Sequence, residues 1–474
     1  MNLVHSLSYI MIKHLERGIQ MEIKKQINLG EDKVSKIFWK YAIPSIIAML
    51  AQTTASFIDS IFIGKFVGPE GLSAITLFFP CVAILIGIAA MFAIGSSTLA
   101  GIELGKGNQE KSNNYFNLAM LFLTVISLVS TLIIVTNMEL ITHALNVTGI
   151  TKTYILDYGG TISYFFIFFL LNFAMTFFLK LDGKPAIVVI VMISGTLTNI
   201  TLDYLFIVVF KMGLTGAALA TGLSQLIPWT ILIFTTVFKS NWKFKFPEIR
   251  TNELLQIVFN GSSELLSNSA HAIAGFAFNM IIMSRLGVIG VAGYAVALQI
   301  ASVASSLGYS FGEANQTGIS FNIGANQLDR VRKFRTMTTQ VSISAGVILF
   351  IFTYFFGALA ASIFVKDPET IAIASYILKF YSFAFIVMCT NISIGTYYTA
   401  VNDPIISGGI TFYRSLIGLL IGLLICPMIF GNNGIWMAIL FTEYTTFIVG
   451  MMLYKKKPYG LNIKKIHTTE KLIA

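Results

Sequence analysis

Apolar runs of about twenty residues recur along almost the whole chain, and each is the length a helix needs to cross the hydrocarbon core of a bilayer. Backbone in lipid must satisfy its own hydrogen bonds, so only helices and closed barrels remain as solutions. A barrel needs segments of about ten residues that alternate apolar and polar, and the runs at 186–193 and 416–425 alternate nothing. Composition agrees, with 55% of the 474 residues hydrophobic and only 11% charged, against roughly a quarter charged in soluble domains. The spans fall at 39–66, 72–100, 116–136, 156–179, 186–210, 214–238, 260–284, 288–321, 340–361, 371–399, 405–429 and 434–454. The expected fold class is an all-α polytopic membrane protein with twelve transmembrane helices.

Counting Lys and Arg on alternate sides of these spans tests the orientation, because basic residues collect in short cytoplasmic loops. One side holds 25 of the 32, including both terminal segments. The other holds Lys65, Lys152, Lys211, Arg285 and Lys366, with Lys379 and Arg414 inside spans. The chain is therefore expected in the cytoplasmic membrane with both termini cytoplasmic, and its net charge of +10 faces anionic headgroups. Basic segments of this kind lack the fold and aromatic interleaving of a nucleic-acid module. The start of the chain has no cleavable signal pattern, and Met1 and Met21 are both candidate starts. Cys81, Cys389 and Cys426 lie in apolar spans and read as small buried hydrophobes.

Sliding the chain on itself by 219 residues superposes its halves without a gap over about seventy positions. Ala51 falls on Ala270, Ala55 on Ala274, Phe57 on Phe276, Ile63 on Ile282, Gly68 on Gly287, Gly71 on Gly290, Thr98 on Thr317 and Gly105 on Gly324. The same offset lays Gly183-Lys184-Pro185 on Asn402-Asp403-Pro404, two turns that each place proline at a helix start. Six spans per copy is an even number, so both copies enter from one side, and the fold becomes two pseudo-symmetric six-helix bundles. The expected units are a cytoplasmic extension at 1–36, bundles at 37–238 and 260–454, a cytoplasmic linker at 239–259 and a basic tail at 455–474. Parallel repeats suit alternating access around a central cavity.

No phosphate-binding loop of an ATPase is present: Gly101-Ile-Glu-Leu-Gly105-Lys106 has the wrong spacing and no hydroxyl residue after the lysine. His5, His14, His143, His271 and His467 form no ligand constellation, so neither an enzyme nor a bound cofactor is expected. Uphill transport must then draw on a proton or sodium gradient, which requires ionisable groups within the membrane. Asp59 and Asp203 stand at similar depth in the outer half of the first bundle. Asn199 lies one helical turn before Asp203 on the same face, and Thr221 reaches a similar depth. Two carboxylates with amide and hydroxyl oxygens suit a sodium ion or a carried proton. In the second half Glu264, His271, Glu313, Arg414 and Glu443 are candidate cavity residues, with Arg414 able to neutralise Glu313 or Glu443. Pro44, Pro80, Pro228 and Pro427 can bend their helices.

Pro44, Gln52 and Phe57-Ile58-Asp59 leading to Gly64 and Gly68, with Gly105-Lys106-Gly107 and Gly324-Ala325-Asn326 closing the two second spans, resemble the multidrug and toxic compound extrusion (MATE) family. Asp182-Gly183-Lys184-Pro185 followed by Asn199-x-x-x-Asp203-Tyr204 is similar to the fifth helix of that family. The resemblance covers roughly 34–454. It implies twelve helices in two bundles and a monomeric antiporter that exports cationic or amphipathic small molecules in exchange for protons or sodium. It also maps the family's ion site onto Asp59, Asn199, Asp203 and Thr221, and adds Gln52 to the cavity candidates. Ala55 departs from the tyrosine that the DinF-like branch tends to carry, so the detail of ion coordination does not carry over from it; span ten has no carboxylate, which points to the MepA or DinF-like side. The alternatives are a lipid-linked oligosaccharide flippase of the same superfamily and, from another class, a channel or scaffold.

Overall fold

A computed structural model describes residues 27–145 and 147–460, and among the described residues every regular element is helical. Span 1 is Val34–Phe66, span 2 Pro69–Gly105 and span 3 Gln109–Thr136. A short helix, Met138–Ala144, precedes span 4, which is built from Gly149–Ser163 and Phe166–Leu181 with a 52° bend between them. Span 5, Pro185–Asp203, runs on through a π-helical turn at Tyr204–Val209, and span 6 is Gly213–Leu223 plus Leu226–Lys239. Spans 7 and 8 are two helices within Thr251–Gly324 that meet at a kink at Gly287, whose φ is positive. Spans 9, 10 and 12 are Leu328–Ser362, Pro368–Ala400 and Asn433–Lys456. Span 11 passes from Pro404–Phe412 through a π-turn at Tyr413–Ile417 into Gly418–Phe430. Ten of these helices are individually long and apolar enough to cross a membrane, and the bent pair of span 4 makes another. The polar start of span 7 leaves only a short apolar stretch after Ile273. The chain is a multi-pass, all-α membrane protein.

The 219-residue offset reappears in the backbone. Gly68 and Gly287, which turn the chain from the first into the second span of each half, have φ of 109° and 65°. Gly107 and Asn326 (φ 80° and 57°) repeat the correspondence after the second spans, and Gly183 and Asn402 (77° and 61°) repeat it before the fifth. Glycine and, at smaller cost, asparagine are the residues that tolerate this left-handed region. Proline then opens spans 2, 5, 10 and 11 at a position where its missing N–H costs nothing. Span 7 begins at Thr251, earlier than the apolar run at 260 suggests, because its first turns carry Asn252, Glu253 and Gln256.

The halves meet through small residues at the end of the bundle that carries the described chain ends. A Cβ added at Gly105 would sit 2.0 Å from the Phe321 carbonyl oxygen, and one at Gly324 1.9 Å from that of Ile102. Gly95 and Gly261 bring spans 2 and 7 equally close, 2.3 Å from the Ile257 carbonyl and 1.9 Å from that of Met91. Close backbone approach of this kind is how membrane helices associate where lipid removes the hydrophobic driving force. The largest apolar cluster lies here and takes Ile37, Phe38 and Tyr41 from the first half and Ile319, Ile323 and Phe334 from the second. A separate cluster around Phe278, Tyr294 and Trp436 belongs to the second half alone.

Candidate functional site

A cavity of about 220 Å³ opens between spans 1, 4, 5 and 6 of the first half, and its polar lining includes Gln52, Asp59, Asn172, Asn199, Thr221 and Gln225. Each position follows from local structure. Asn199 and Asp203 are one helical turn apart in span 5, so they share its inward face, and both are buried. Asp203 is the last residue before the π-turn, a local widening that recurs at functional sites. Span 6 breaks at Ser224 and Gln225, and the Gln225 carbonyl accepts from both the Trp229 main-chain N–H and Asn172 Nδ2, each at 3.0 Å. Gly195 lets Pro228 approach to contact, 3.0 Å from where a Cβ would stand.

Asp59, Asn199 and Thr221 line the cavity, and Asp203 stands behind them, fully buried. Asp59 and Asp203 interact electrostatically with each other and with Tyr158. Their hydrogen bonding is incomplete: Asp59 Oδ1, both Asp203 oxygens and Asn199 Nδ2 have no partner. A buried carboxylate without a donor is costly, and two facing one another add repulsion. A hard cation or a proton removes both penalties. Among the described residues no group of three His, Cys, Asp or Glu side chains forms a metal cluster. Carboxylate, amide and hydroxyl oxygens suit a weakly held monovalent ion or a shared proton better than a resident transition metal.

The second-half candidates are arranged differently. Glu264 and Arg414 line a small cavity of about 20 Å³ with Tyr309, Asn391 and Thr411, room for about one water. Arg414 chooses Glu443, with Nη2 2.8 Å and Nε 2.9 Å from Oε1, and Asn391 Nδ2 donates to Glu443 Oε2 at 2.7 Å. Arg414 lies in the π-turn of span 11. Glu313 is elsewhere, paired at 2.5 Å with Lys180 across the junction between the halves. The side chain of His271 lies outside the described residues. Three participants escaped the sequence reading. Asn172 and Gln225 are isolated polar residues in apolar helices, and Lys180, expected in a loop, is a buried residue of the last turn of span 4.

Comparison with known proteins completes the picture. A profile of the MatE family matches residues 44–205 and again 266–427, once in each half. The chain belongs to the MatE family and is a membrane transporter for small molecules, not an enzyme. It is similar to the probable multidrug resistance protein YoeA of Bacillus subtilis (strain 168), 25% identical over 76% of this chain and 80% of that one. It is also similar to the multidrug export protein MepA of Staphylococcus aureus (strain MSSA476), 24% identical over 89% and 93% respectively. A crystal structure of MATE in complex with MaL6 superposes with a TM-score of 0.88 at 19% identity, covering 93% of this chain and 99% of that one. The shared fold is thus twelve helices in two six-helix halves.

Proposed function

We propose that the chain is a secondary active antiporter that exports cationic or amphipathic drugs and similar small molecules in exchange for protons or sodium. The observation that carries this reading is the unpartnered pair Asp59 and Asp203, one at the wall of a cavity and the other just behind it, with Asn199 and Thr221 at hand. A carboxylate without a donor in the membrane is retained when it has a cation to bind and release. Similarity to multidrug export proteins supports the substrate class.

Placing both termini in the cytoplasm, as the basic loops require, makes the glycine-lined junction the cytoplasmic closure. Lys180 and Glu313 pair there, and Gln316, one turn after Glu313, donates to Thr98 at 3.0 Å. Exchange then consists of opening this junction while the opposite side closes. Ion release from the first half is linked to that change because spans 1 and 2 belong both to the ion-binding half and to the junction. The test is efflux of a cationic dye from reconstituted vesicles. An imposed proton or sodium gradient drives it in the native protein, and Asp59→Asn abolishes it while the protein still inserts and folds. Flux that persists at full rate without any gradient overturns the reading.

A further inference from the structure

The repeat carries a second asymmetry, at the basic ends of spans 3 and 9. In the first half, the linker that follows span 6 runs beside span 3, and the two border a cavity of about 710 Å³ whose basic residues are balanced by Glu110, Glu248 and Glu253. Asn113 and Lys243 exchange hydrogen bonds of 2.8 and 2.7 Å, and the main-chain N–H groups of Lys245 and Glu248 donate to Asn117 and Asn114 at 3.0 and 2.9 Å. Trp242 of the linker is buried. It stacks on Phe116 with ring centroids 5.6 Å apart and donates from Nε1 to the Phe178 carbonyl at 2.8 Å.

The offset of 219 takes Asn113 to Arg332, Phe116 to Arg335, Asn117 to Thr336 and Phe178 to Tyr397. Where the first half has a buried aromatic stack, the second has a guanidinium. Arg335 lies 5.1 Å over the Tyr454 ring and 6.0 Å from that of Tyr397, and it is held by the Tyr454 and Pro458 carbonyls at 3.1 and 3.3 Å. The equivalent region is an open groove of about 510 Å³ between spans 9 and 12, lined by Arg332, Arg335 and Lys455 and by no carboxylate. None of these three cations makes an ion pair among the described residues. From Arg332 the groove reaches Gln340 on span 9 and Met451 on span 12, a descent of about 12 Å at the helical rise per residue. Further along the same two helices Ile348 and Ile448 are exposed apolar residues.

We infer that this groove binds the phosphate headgroup of an anionic membrane lipid, with Arg332, Arg335 and Lys455 around the phosphodiester and the acyl chains descending between spans 9 and 12. Basic pockets between membrane helices on the cytoplasmic side are suited to such headgroups. A guanidinium clamped by two carbonyls is pre-organised to meet phosphate oxygens. Charge decides against the tail at 461–474 as occupant, since it brings Lys464, Lys465 and Lys471 against a single Glu470.

Native mass spectrometry of the full chain, with phosphatidylglycerol titrated into detergent, tests the site. The account expects one saturable lipid that phosphatidylcholine does not displace. Arg332→Gln and Lys455→Gln each weaken it about fivefold. The control Lys243→Gln, which removes the same single charge beside the first-half cavity, leaves the affinity unchanged. Arg332 and Lys455 are exposed, so lipid-free thermal midpoints stay the same in their variants. Equal weakening by the control means that attraction is general, and the site is refuted. Displacement by inorganic phosphate at the lipid's concentration assigns a free anion, and tighter lipid binding in Glu470→Gln assigns the tail; both overturn the proposal.

Discussion

The two halves share their turns, the proline that opens spans 5 and 11 and the π-turn within them, yet they treat buried charge in opposite ways. In the first half Asp59 Oδ1 and both Asp203 oxygens lack hydrogen-bond donors, at and behind the wall of a cavity of about 220 Å³. In the second, Arg414 and Glu443 satisfy each other with help from Asn391, beside a cavity of about 20 Å³. A satisfied buried pair has little to gain from an ion, whereas an unsatisfied pair has much to gain. The two copies have thus diverged: one keeps buried carboxylate oxygens without partners, and the other closes its charges into a pair.

The comparison can be broken most decisively at the carboxylates. Asp203→Asn is expected to reduce gradient-driven transport about tenfold or more, with normal insertion and an unchanged elution profile; equal loss of folded protein would make Asp203 a structural residue. Removing one member of the second-half pair should do the reverse. Arg414→Ala leaves Glu443 buried without its countercharge and costs about 3–5 kcal/mol, read as a lower midpoint of thermal unfolding in detergent. The double change Arg414→Met with Glu443→Leu should recover most of that loss. If it does not, the pair does more than balance charge.

At the junction, Lys180→Ala or Glu313→Ala should loosen the closure proposed to face the cytoplasm. In a cysteine-free background, Thr98→Cys would then react several-fold faster with an impermeant thiol reagent applied from the cytoplasmic side. The swapped pair Lys180→Glu with Glu313→Lys should restore protection, because attraction across the junction survives. The smallest effect is expected at the linker. Asn117→Ala removes one of its main-chain anchors and costs about 1 kcal/mol, seen as faster hydrogen exchange at Lys245 without loss of transport.

Much of this was legible in the sequence because turns and membrane spans are local. Gly68 and Gly287, or Gly183 and Asn402, announce left-handed backbone wherever they stand, and the offset between them exposes the duplication. Depth in the sequence put Asp59, Asp203 and Thr221 at one level and helical phase put Asn199 on the face of Asp203; the structure brings Asp59, Asn199 and Thr221 to one cavity. What depth cannot give is azimuth. Arg414 had two carboxylates within reach in sequence terms, and only the rotation of span 12 against span 11 selects Glu443. Lys180 reads as a loop residue at the end of an apolar run, since its partner is 133 residues away in the other half. Span 7 begins early because its polar first turns hide a helix that hydropathy does not register.

The central claim is that the unpaired carboxylates of the first half couple an ion to export. It is tested most directly by dye transport in vesicles under proton and sodium gradients imposed separately, for the native chain and for Asp59→Asn with Asp203→Asn. The account predicts that at least one gradient drives the native protein, that neither drives the double variant, and that the variant still binds dye. Undiminished gradient-driven transport by the double variant would contradict it.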